Sequence, residues 1–212
     1  MALRLLGKAS SINVRKVLWT CAEIGLAPQR EDWGSGFRDT RDPAFLRLNP
    51  NALVPVLIDG EGPQALVLRE SNTICRYLSG RHGREDLLPA EPGARARVAL
   101  WMDWQATELN NAWRYVFMSR VRQSPAHQDP ALLAAGAAEW NRHMAILDAQ
   151  LERSGVHVAG EGFTLADIVL GLSVNRWVMT PFDKPELPAV AAYYDRLSLR
   201  PAYLAHGRNG TP

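Results

Sequence analysis

The chain has 212 residues, of which 47% are hydrophobic and 22% charged, values ordinary for a soluble globular protein of one large domain or two small ones. Its formal charge is +2, from 24 basic and 22 acidic residues without a long run of either sign. The composition therefore excludes the clustered positive charge of a nucleic-acid-binding protein, and no segment approaches the roughly 18 apolar residues of a membrane helix.

Strands and helices alternate in the first part of the chain. Leu3–Leu6 is a short apolar strand, and the apolar residues from Val14 to Cys21 recur at helical spacing before Gly25, a candidate C-cap. The remaining elements predicted here are strands at Arg30–Trp33, Val54–Ile58 and Ala65–Leu68 and a helix at Ser71–Arg81. A loop rich in turn residues separates the second strand from the third.

The second part of the chain has only helical signals. Residues 82–93 contain two prolines, two glycines and four charges and are predicted to be a linker. Residues 94–124 contain no proline or glycine, which predicts one helix much longer than average. The sequence thus predicts an α/β domain at residues 1–81, the linker, and an all-α domain at residues 94–212.

Capping signals place the later helices. Asp129 is a predicted N-cap with proline at the next position, and an apolar seam follows from Leu133 to Leu151. Thr164 and Asp167 have the spacing of a capping box. A last helix is predicted from Pro188 to Leu199, ending before a proline.

The two cysteines predict neither a disulfide scaffold nor a metal site. Cys21 and Cys75 lie in apolar helical patterns, where a free cysteine behaves as a small buried hydrophobe. The amino terminus lacks the charged start and the longer apolar run of a signal peptide. A reducing, cytoplasmic location is therefore expected.

The most informative segment is NPNALVPVL at residues 49–57. Because Val54 precedes a proline, it is expected to be extended, and Pro55 has no N–H with which to join a central sheet ladder. The Val54–Pro55 bond is a candidate cis peptide. The backbone N–H and C=O of Val54 are then free to pair with a short peptide.

A second motif follows at Glu70 and Ser71, where a helix is expected to begin. The unpaired N–H groups and the dipole of a helix N-terminus favour a carboxylate ligand. A backbone partner and a carboxylate cradle together suit a tripeptide. The alternative is that Val54–Pro55 marks only the start of a strand and Ser71 only caps a helix.

With this pair of motifs, the chain resembles the cytosolic glutathione S-transferases, in particular the serine-type, theta-like bacterial members. The resemblance covers about residues 3–203 and implies a thioredoxin-like N-terminal domain, an all-helical C-terminal domain and a homodimer. It implies that Val54 and Pro55 bind the cysteinyl backbone of glutathione and that Glu70 and Ser71 bind its γ-glutamyl group. It implies no cofactor, because glutathione is a co-substrate.

The same resemblance points to Ser11 as the residue that stabilises the glutathione thiolate. In serine-type relatives a serine four residues before an arginine has this role, and Ser11 stands four residues before Arg15. A serine before a helix is also a favoured cap, and Ser10 and Asn13 are competing donors. The segment from Gly7 to Val14 contains no cysteine or tyrosine, which disfavours the classes that use those residues.

One departure from the family affects the glycine carboxylate of glutathione. Many relatives have a lysine just before the Val-Pro pair, where this chain has Leu53. Arg41 is the best-placed substitute, although a solvated loop charge is an equal alternative, and Asn51 is a weaker candidate.

The second substrate is expected against the long helix that follows the linker. Residues on one predicted face of that helix, with one bordering residue, are candidates for its pocket: Thr107, Asn110, Asn111, Arg114 and Met118. They suggest a polar or anionic co-substrate, but an exposed helix surface explains them equally well.

The function expected from the sequence is conjugation of the glutathione thiolate to small electrophiles. Other glutathione-dependent reactions, namely peroxide reduction, dehalogenation and isomerisation, are alternatives, because fold does not fix function. A non-catalytic transferase-like binding module is a further alternative.

Overall fold

The computed structural model describes residues 3–212 and divides the chain into two compact units, one ending at Leu88 and the other running from Pro89 to Pro212. Met1 and Ala2, which the predicted first domain includes, lie outside the described residues.

The first unit is built on a four-stranded mixed sheet. Its elements are β1 (Leu3–Leu6), α1 (Ile12–Ile24), β2 (Gln29–Glu31), α2 (Pro43–Leu46), β3 (Val56–Asp59), β4 (Leu66–Arg69) and α3 (Ser71–Arg81). The strand order is β2-β1-β3-β4, with β1 parallel to β2 and both other pairs antiparallel. This β-α-β unit followed by β-β-α confirms the predicted thioredoxin-like fold.

Proline determines where two of these elements begin. Strand β3 starts at Val56 instead of the predicted Val54, because the imide at Pro55 cannot donate to the ladder. The loop predicted before the third strand contains a short helix, α2, whose cap Asp42 accepts a 2.7 Å hydrogen bond from the N–H of Ala44. Pro43 occupies the first position of α2, where its missing N–H is harmless.

The core of the first unit forms around the strands and the loop after β2. Leu6, Val56 and Ile58 pack with two aromatic residues, Trp33 and Phe45, whose ring centroids lie 5.0 Å apart. The prediction that β2 runs from Arg30 to Trp33 is wrong at its end: the strand ends at Glu31, and Trp33 forms an isolated bridge with the residue at position 38.

The second unit is helical. Its elements are α4 (Pro92–Trp104), a π-helical stretch (Gln105–Leu109), α5 (Asn110–Ala112), α6 (Arg114–Arg120), α7 (Pro130–Ser154), α8 (Leu165–Met179), α9 (Pro188–Leu197) and α10 (Pro201–His206). The all-α prediction for this part of the chain is confirmed. No helix among residues 3–212 combines the length and the apolar character needed to cross a membrane.

Two helix predictions in this unit are wrong in detail. The single helix predicted over residues 94–124 begins at Pro92, changes to π-helix at Gln105, breaks at Trp113 and ends at Arg120. The π-helical turn coincides with a buried tertiary bond, from the amide of Gln105 to Ser173 Oγ at 3.1 Å. The helix predicted to be the last ends before Pro201 as expected, at Leu197, but Pro201 then starts an additional helix, α10.

Helix α8 is buried along nearly its whole length, and its predicted capping box is present. Fully buried Asp167 accepts hydrogen bonds from the backbone N–H groups of Val158 and Thr164 and from the hydroxyls of Thr164 and Tyr193, at 2.8–3.1 Å. Burial raises the pKa of the Asp167 carboxyl. The four hydrogen bonds offset the free-energy cost of burying this carboxyl group.

Helix α7 begins as predicted. Asp129 accepts hydrogen bonds from the N–H groups of Ala131 and Leu132 at 2.9 and 3.0 Å, and Pro130 follows it. The predicted seam is half-buried at its first two positions and buried over the rest, Trp140, Met144, Leu147 and Leu151.

We expect Asp167→Ala to lower the free energy of unfolding by about 3 kcal/mol or more, because each buried donor left without an acceptor costs about 1–3 kcal/mol. The matched control is Asp129→Ala, which removes an exposed cap and should cost only about 1 kcal/mol. Chemical denaturation of both variants tests this, and equal losses would contradict it.

Candidate functional site

The register of the sheet brings three loops of the first unit to one edge. Leu6 of β1 pairs with Val56 of β3, and Val56 pairs in turn with Arg69 of β4. The chain leaves β1 after Leu6, enters β3 before Val56 and leaves β4 after Arg69. The loop before α1, the Val54–Pro55 segment and the start of α3 therefore lie at the same end of neighbouring strands.

The Val54–Pro55 segment has an available backbone. The peptide bond between the two residues is cis. Val54 is half-buried, and neither its N–H nor its C=O has a hydrogen-bond partner within residues 3–212. This is the arrangement that the sequence predicted for pairing with a short peptide.

Asn49, which the sequence analysis did not single out, shapes the loop that leads to Val54. It is 2% exposed; its Nδ2 donates to the carbonyl of Leu53 at 2.7 Å, and its Oδ1 accepts from the N–H of Asn51 at 3.1 Å. Asn51 is exposed and takes part in this turn through its backbone. The Asn-Pro-Asn sequence could have predicted this turn, because an Asn side chain commonly hydrogen-bonds the backbone of the residue two positions later.

Gly7 brings the loop after β1 close to Val54. A Cβ at this position would lie 2.4 Å from Val14 Cγ2 and 3.1 Å from Val54 Cβ, and its φ is +149°. Only glycine fits such a close approach with that backbone conformation.

Ser11 is the N-cap residue of α1 by position, with φ −76° and ψ 125°. Its side chain makes no capping hydrogen bond and is half-buried. In the described part of the chain its hydroxyl has no hydrogen-bond partner. The hydroxyl therefore does not cap α1, which was the alternative role raised from the sequence. Ser10 is exposed in the turn before it.

Asn13 and Ser71 join the starts of α1 and α3. Ser71 is 8% exposed, and its hydroxyl donates to Asn13 Oδ1 at 3.3 Å. One turn further along α1, Nζ of buried Lys16 donates to Asn72 Oδ1, also at 3.3 Å. Two predicted site residues 58 positions apart thus meet, and a second contact holds the same two helices together.

Glu70 has an unusual backbone. It is an exposed residue with φ 69° and ψ 110°, a conformation that L-residues rarely adopt and that costs on the order of 1–3 kcal/mol. This conformation makes the sharp turn from β4 into α3. Strain of this kind concentrates at functional sites, which supports the assignment of Glu70 and Ser71 to a binding site.

Arg41 is not joined to these residues by any hydrogen bond in the described structure. It is exposed in the loop before α2, where its backbone N–H donates to Asp39 Oδ1 at 2.9 Å. Its proposed contact with a carboxylate remains a prediction.

The candidates for a co-substrate pocket lie in the second unit. Asn111 and Arg114 are exposed, Asn110 and Met118 are half-buried, and Nδ2 of Asn111 donates to the carbonyl of Thr107 at 2.5 Å. Because the helix changes to π geometry at Gln105 and breaks at position 113, these residues do not follow one regular helical face as predicted.

A cation that the sequence analysis missed lies beside this segment. Arg176 of α8 is 4% exposed, and its guanidinium carbon lies 4.3 Å from the ring centroid of Trp113 and 4.2 Å from that of Phe117. These contacts explain the half-buried position of Trp113. The sequence near Trp113 could not have predicted this contact, because Arg176 is about 60 residues away along the chain.

The cysteines offer no reactive thiolate. Both are free and buried; burial, with a smaller contribution from Cys75, raises the pKa of Cys21 to about 12, and burial raises the pKa of Cys75 to about 11. Residues 3–212 also contain no cluster of His, Cys, Asp and Glu that could hold a metal ion.

Comparison with known protein families gives two matches. Residues 10–81 match the N-terminal domain of glutathione S-transferases, and residues 130–196 match the C-terminal domain.

Three relatives show the range of proteins that this chain resembles. The chain is 35% identical to glutathione S-transferase GstB of Escherichia coli, covering 94% of this chain and 95% of the relative. It is 30% identical to the disulfide-bond oxidoreductase YfcG of Escherichia coli, with coverages of 85% and 82%. It is also 30% identical to a probable elongation factor 1-gamma of Arabidopsis thaliana, but spans only 38% of that protein.

Among solved structures, the chain is similar to the theta class glutathione S-transferase of Xanthomonas axonopodis pv. citri with glutathione bound. The TM-score is 0.88 at 37% identity, and the match covers 97% of this chain and 96% of the other. A glutathione S-transferase of Xanthobacter autotrophicus matches with a TM-score of 0.81 at 27% identity, covering 95% of each chain.

We expect neither cysteine of the native protein to react with a thiol reagent such as Ellman's reagent at about pH 8. Both thiols are buried out of reach of the reagent, and their raised pKa values keep them protonated. Both should react after unfolding in guanidinium chloride. Rapid reaction of either thiol in the native protein would contradict the assignment of these residues to the core.

Proposed function

Since the chain belongs to the glutathione S-transferase family, we propose that it binds glutathione and conjugates the glutathione thiolate to small electrophilic substrates. The observation that carries this proposal is the meeting of three features at one edge of the sheet. These are the backbone of Val54 and the hydroxyl of Ser11, both without a hydrogen-bond partner among residues 3–212, and the Asn13–Ser71 contact.

Val54, Glu70 and Ser71 would anchor the tripeptide. The N–H and C=O of Val54 would pair with the cysteinyl residue as a short antiparallel strand. The N-terminus of α3 and the Ser71 hydroxyl would hold the γ-glutamyl carboxylate, and the exposed carboxylate of Glu70 would face the neighbouring ammonium group. Arg41 would supply the cation for the glycine carboxylate.

Ser11 would stabilise the sulfur as a thiolate. A free thiol has a pKa of about 8.5, so at neutral pH the protein must favour the anion. The Ser11 hydroxyl and the first N–H groups of α1 are donors at the helix end that attracts negative charge. The thiolate lone pair then attacks an electrophilic carbon, and the leaving group departs with the bonding pair. The protein contributes orientation and anion stabilisation.

Reduction of a disulfide is a second candidate reaction, favoured by the 30% identity to a disulfide-bond oxidoreductase. The same thiolate would attack one sulfur of the disulfide, break its S–S bond and expel the other sulfur as a thiolate, which leaves a mixed disulfide with glutathione. A second glutathione thiolate would then release the remaining thiol and form oxidised glutathione. A turnover panel that contains aryl halides, hydroperoxides and a disulfide, with glutathione in every assay, separates these reactions.

A non-catalytic role has support from the elongation factor 1-gamma relatives. The Ser11, Glu70 and Ser71 side chains argue for the enzyme, since a module without a ligand has no need for the strained Glu70. Retention on immobilised glutathione is the simplest test; a chain that does not bind would favour the module.

We further propose a cytoplasmic homodimer. The free thiols of Cys21 and Cys75 suit a reducing compartment. Strand β4 is an edge of the sheet and exposes Leu66 and Val67, and α4 exposes Leu100 by 58%. An exposed apolar edge strand is a surface that proteins normally cover.

We expect Ser71→Ala to weaken glutathione binding about tenfold or more, because a hydrogen bond to a charged group is worth about 1.5–3 kcal/mol. Ser79→Ala is the matched control, since Ser79 is a buried serine two turns further along α3. Calorimetric titration measures both variants. Equal dissociation constants for Ser71→Ala and the wild type would contradict the head-group assignment.

Ser11→Ala should raise the pKa of the bound thiol by about one to two units, because the lost hydrogen bond is worth about 1.5–3 kcal/mol and one unit corresponds to about 1.36 kcal/mol. The raised pKa depletes the thiolate at neutral pH, so turnover should fall about ten- to a hundredfold and recover partly as the pH rises. Thiolate absorbance measures the shift directly.

Ser10→Ala and Asn13→Ala are the controls for that titration. A shift in one of these variants, with none in Ser11→Ala, would transfer the role to the other residue. No shift in any of the three would leave the backbone N–H groups of α1 as the stabilising donors.

We expect sedimentation at micromolar concentration to give twice the chain mass of 23.5 kDa. Leu100→Arg should shift the protein towards monomer, whereas Leu132→Arg, at a residue with a similar exposure of 55% on α7, should not. A wild-type monomer, or equal behaviour of the two variants, would contradict the proposed interface.

A further inference from the structure

The second unit contains a cavity that the proposed function does not use. It has a volume of about 540 Å³, within the size range of small-molecule sites, and lies between the end of α8, the following loop and α9. Its walls are mostly apolar and include Trp177, Leu187, Val190, Ala191 and Tyr194. We call this cavity the α8–α9 pocket.

The aromatic walls of the α8–α9 pocket are fixed from behind. The indole N–H of Trp177 donates to Asn141 Oδ1 at 2.9 Å, and the hydroxyl of Tyr194 donates to Asn175 Oδ1 at 3.0 Å. Each ring has thus satisfied its polar atom within the protein. The cavity therefore does not depend on a ligand to hold its walls apart.

Among residues 3–212, one lysine, Lys184, lines this pocket. Its Nζ lies 2.6 Å from the carbonyl oxygen of Thr180 and 3.1 Å from that of Phe182. A neutral amine has two N–H groups, so two carbonyl acceptors can satisfy both and leave the nitrogen lone pair uncommitted. Partial burial lowers the pKa of Lys184, against an opposing effect of neighbouring Asp183.

The composition of the chain makes this amine unusual. The sequence contains 21 arginines but only three lysines, Lys8, Lys16 and Lys184. Arginine stays protonated at every physiological pH and is not a nucleophile. Lys16 is 3% exposed, and Lys8 donates to the carbonyl of Ser35 at the protein surface. Of the three lysines, Lys184 is the one that lines the α8–α9 pocket.

The charges around Lys184 define the ligand. Glu186 of the loop and Asp195 of α9 line the same pocket, and Arg208 lies 3.4 Å from Asp195. The two carboxylates disfavour an anion, while the apolar walls disfavour a strongly hydrated ligand. An uncharged apolar carbonyl compound satisfies both conditions.

We propose that the α8–α9 pocket binds uncharged apolar aldehydes and retains them as an imine with the amine of Lys184. The ammonium first loses a proton to water. The Nζ lone pair then attacks the carbonyl carbon, the π pair moves to oxygen, and a proton passes through water from the nitrogen to this oxygen to give a carbinolamine. Loss of water forms the C=N bond, so no oxidant or reductant is needed.

The test is reductive trapping without glutathione, so its outcome is independent of the proposed transferase activity. The full-length protein is incubated with benzaldehyde and cyanoborohydride across a range of pH, and peptide mapping locates the benzyl adducts on the lysines and the α-amino group. We expect Lys184 to be labelled at lower pH than free Nα-acetyl-lysine methylamide. Each unit of pKa depression raises the neutral fraction about tenfold.

Two neighbouring alanines on α9 provide matched variants. Ala191 is exposed and lines the pocket, so Ala191→Trp should fill it and reduce labelling of Lys184 about tenfold. Ala192 is also exposed but does not line the pocket, so Ala192→Trp should leave labelling unchanged. Glyoxylate, an anionic aldehyde, should label Lys184 poorly in the wild type and better in Glu186→Gln.

Labelling of Lys8 without labelling of Lys184 would overturn the proposal and leave Lys184 as a cap for the carbonyls after α8. Labelling of Lys184 that is equal in Ala191→Trp and Ala192→Trp would also overturn it, because the cavity would then have no part in recognition. Thermal unfolding of each variant confirms that the protein is folded during the assay.

Discussion

The candidate site depends on the pairing register of three strands. Because Leu6, Val56 and Arg69 stand opposite one another, the loops that follow β1 and β4 and precede β3 end at the same edge. A slip of one residue would turn every side chain of a strand to the other face and separate these loops. Buried residues on β1 and β3 hold this register, with Leu5, Val56 and Leu57 showing no exposure. The packing of the sheet thus determines where Ser11, Val54 and Ser71 lie.

The second unit follows a different principle, in which buried polar contacts between distant segments fix the helices. Asp167 links the start of α8 to Val158 and to Tyr193 of α9, and Gln105 contacts Ser173 across 68 residues. These bonds contribute modest net stability when complete but are costly to leave incomplete. They explain why the start of α8 can be buried although it carries the acid Asp167.

Features encoded by neighbouring residues were predictable from the sequence. The cap at Asp129, the capping box at Thr164 and the start of α3 at Ser71 each depend on residues within one helical turn. The π-helical stretch, the contacts of Arg176 and the buried position of Asn49 depend on tertiary structure or on side-chain geometry that periodicity does not reveal. At the site, the motifs identified Asn13 and Ser71 separately, but only the packing of α1 on α3 brings them into contact.

The Asn13–Ser71 hydrogen bond has a consequence for how the two ends of a ligand are coupled. A serine hydroxyl has a single proton to donate, and in this structure Ser71 donates it to Asn13 Oδ1. A carboxylate ligand only accepts, so the Ser71 hydroxyl has to rotate away from Asn13 to bind it. That rotation releases the Asn13 amide two residues after Ser11, at a cost of about 1 kcal/mol for the exchanged bond. In the proposed glutathione site, a carboxylate bound at Ser71 would thereby reorient the Asn13 side chain near Ser11 through the rotation of one hydroxyl.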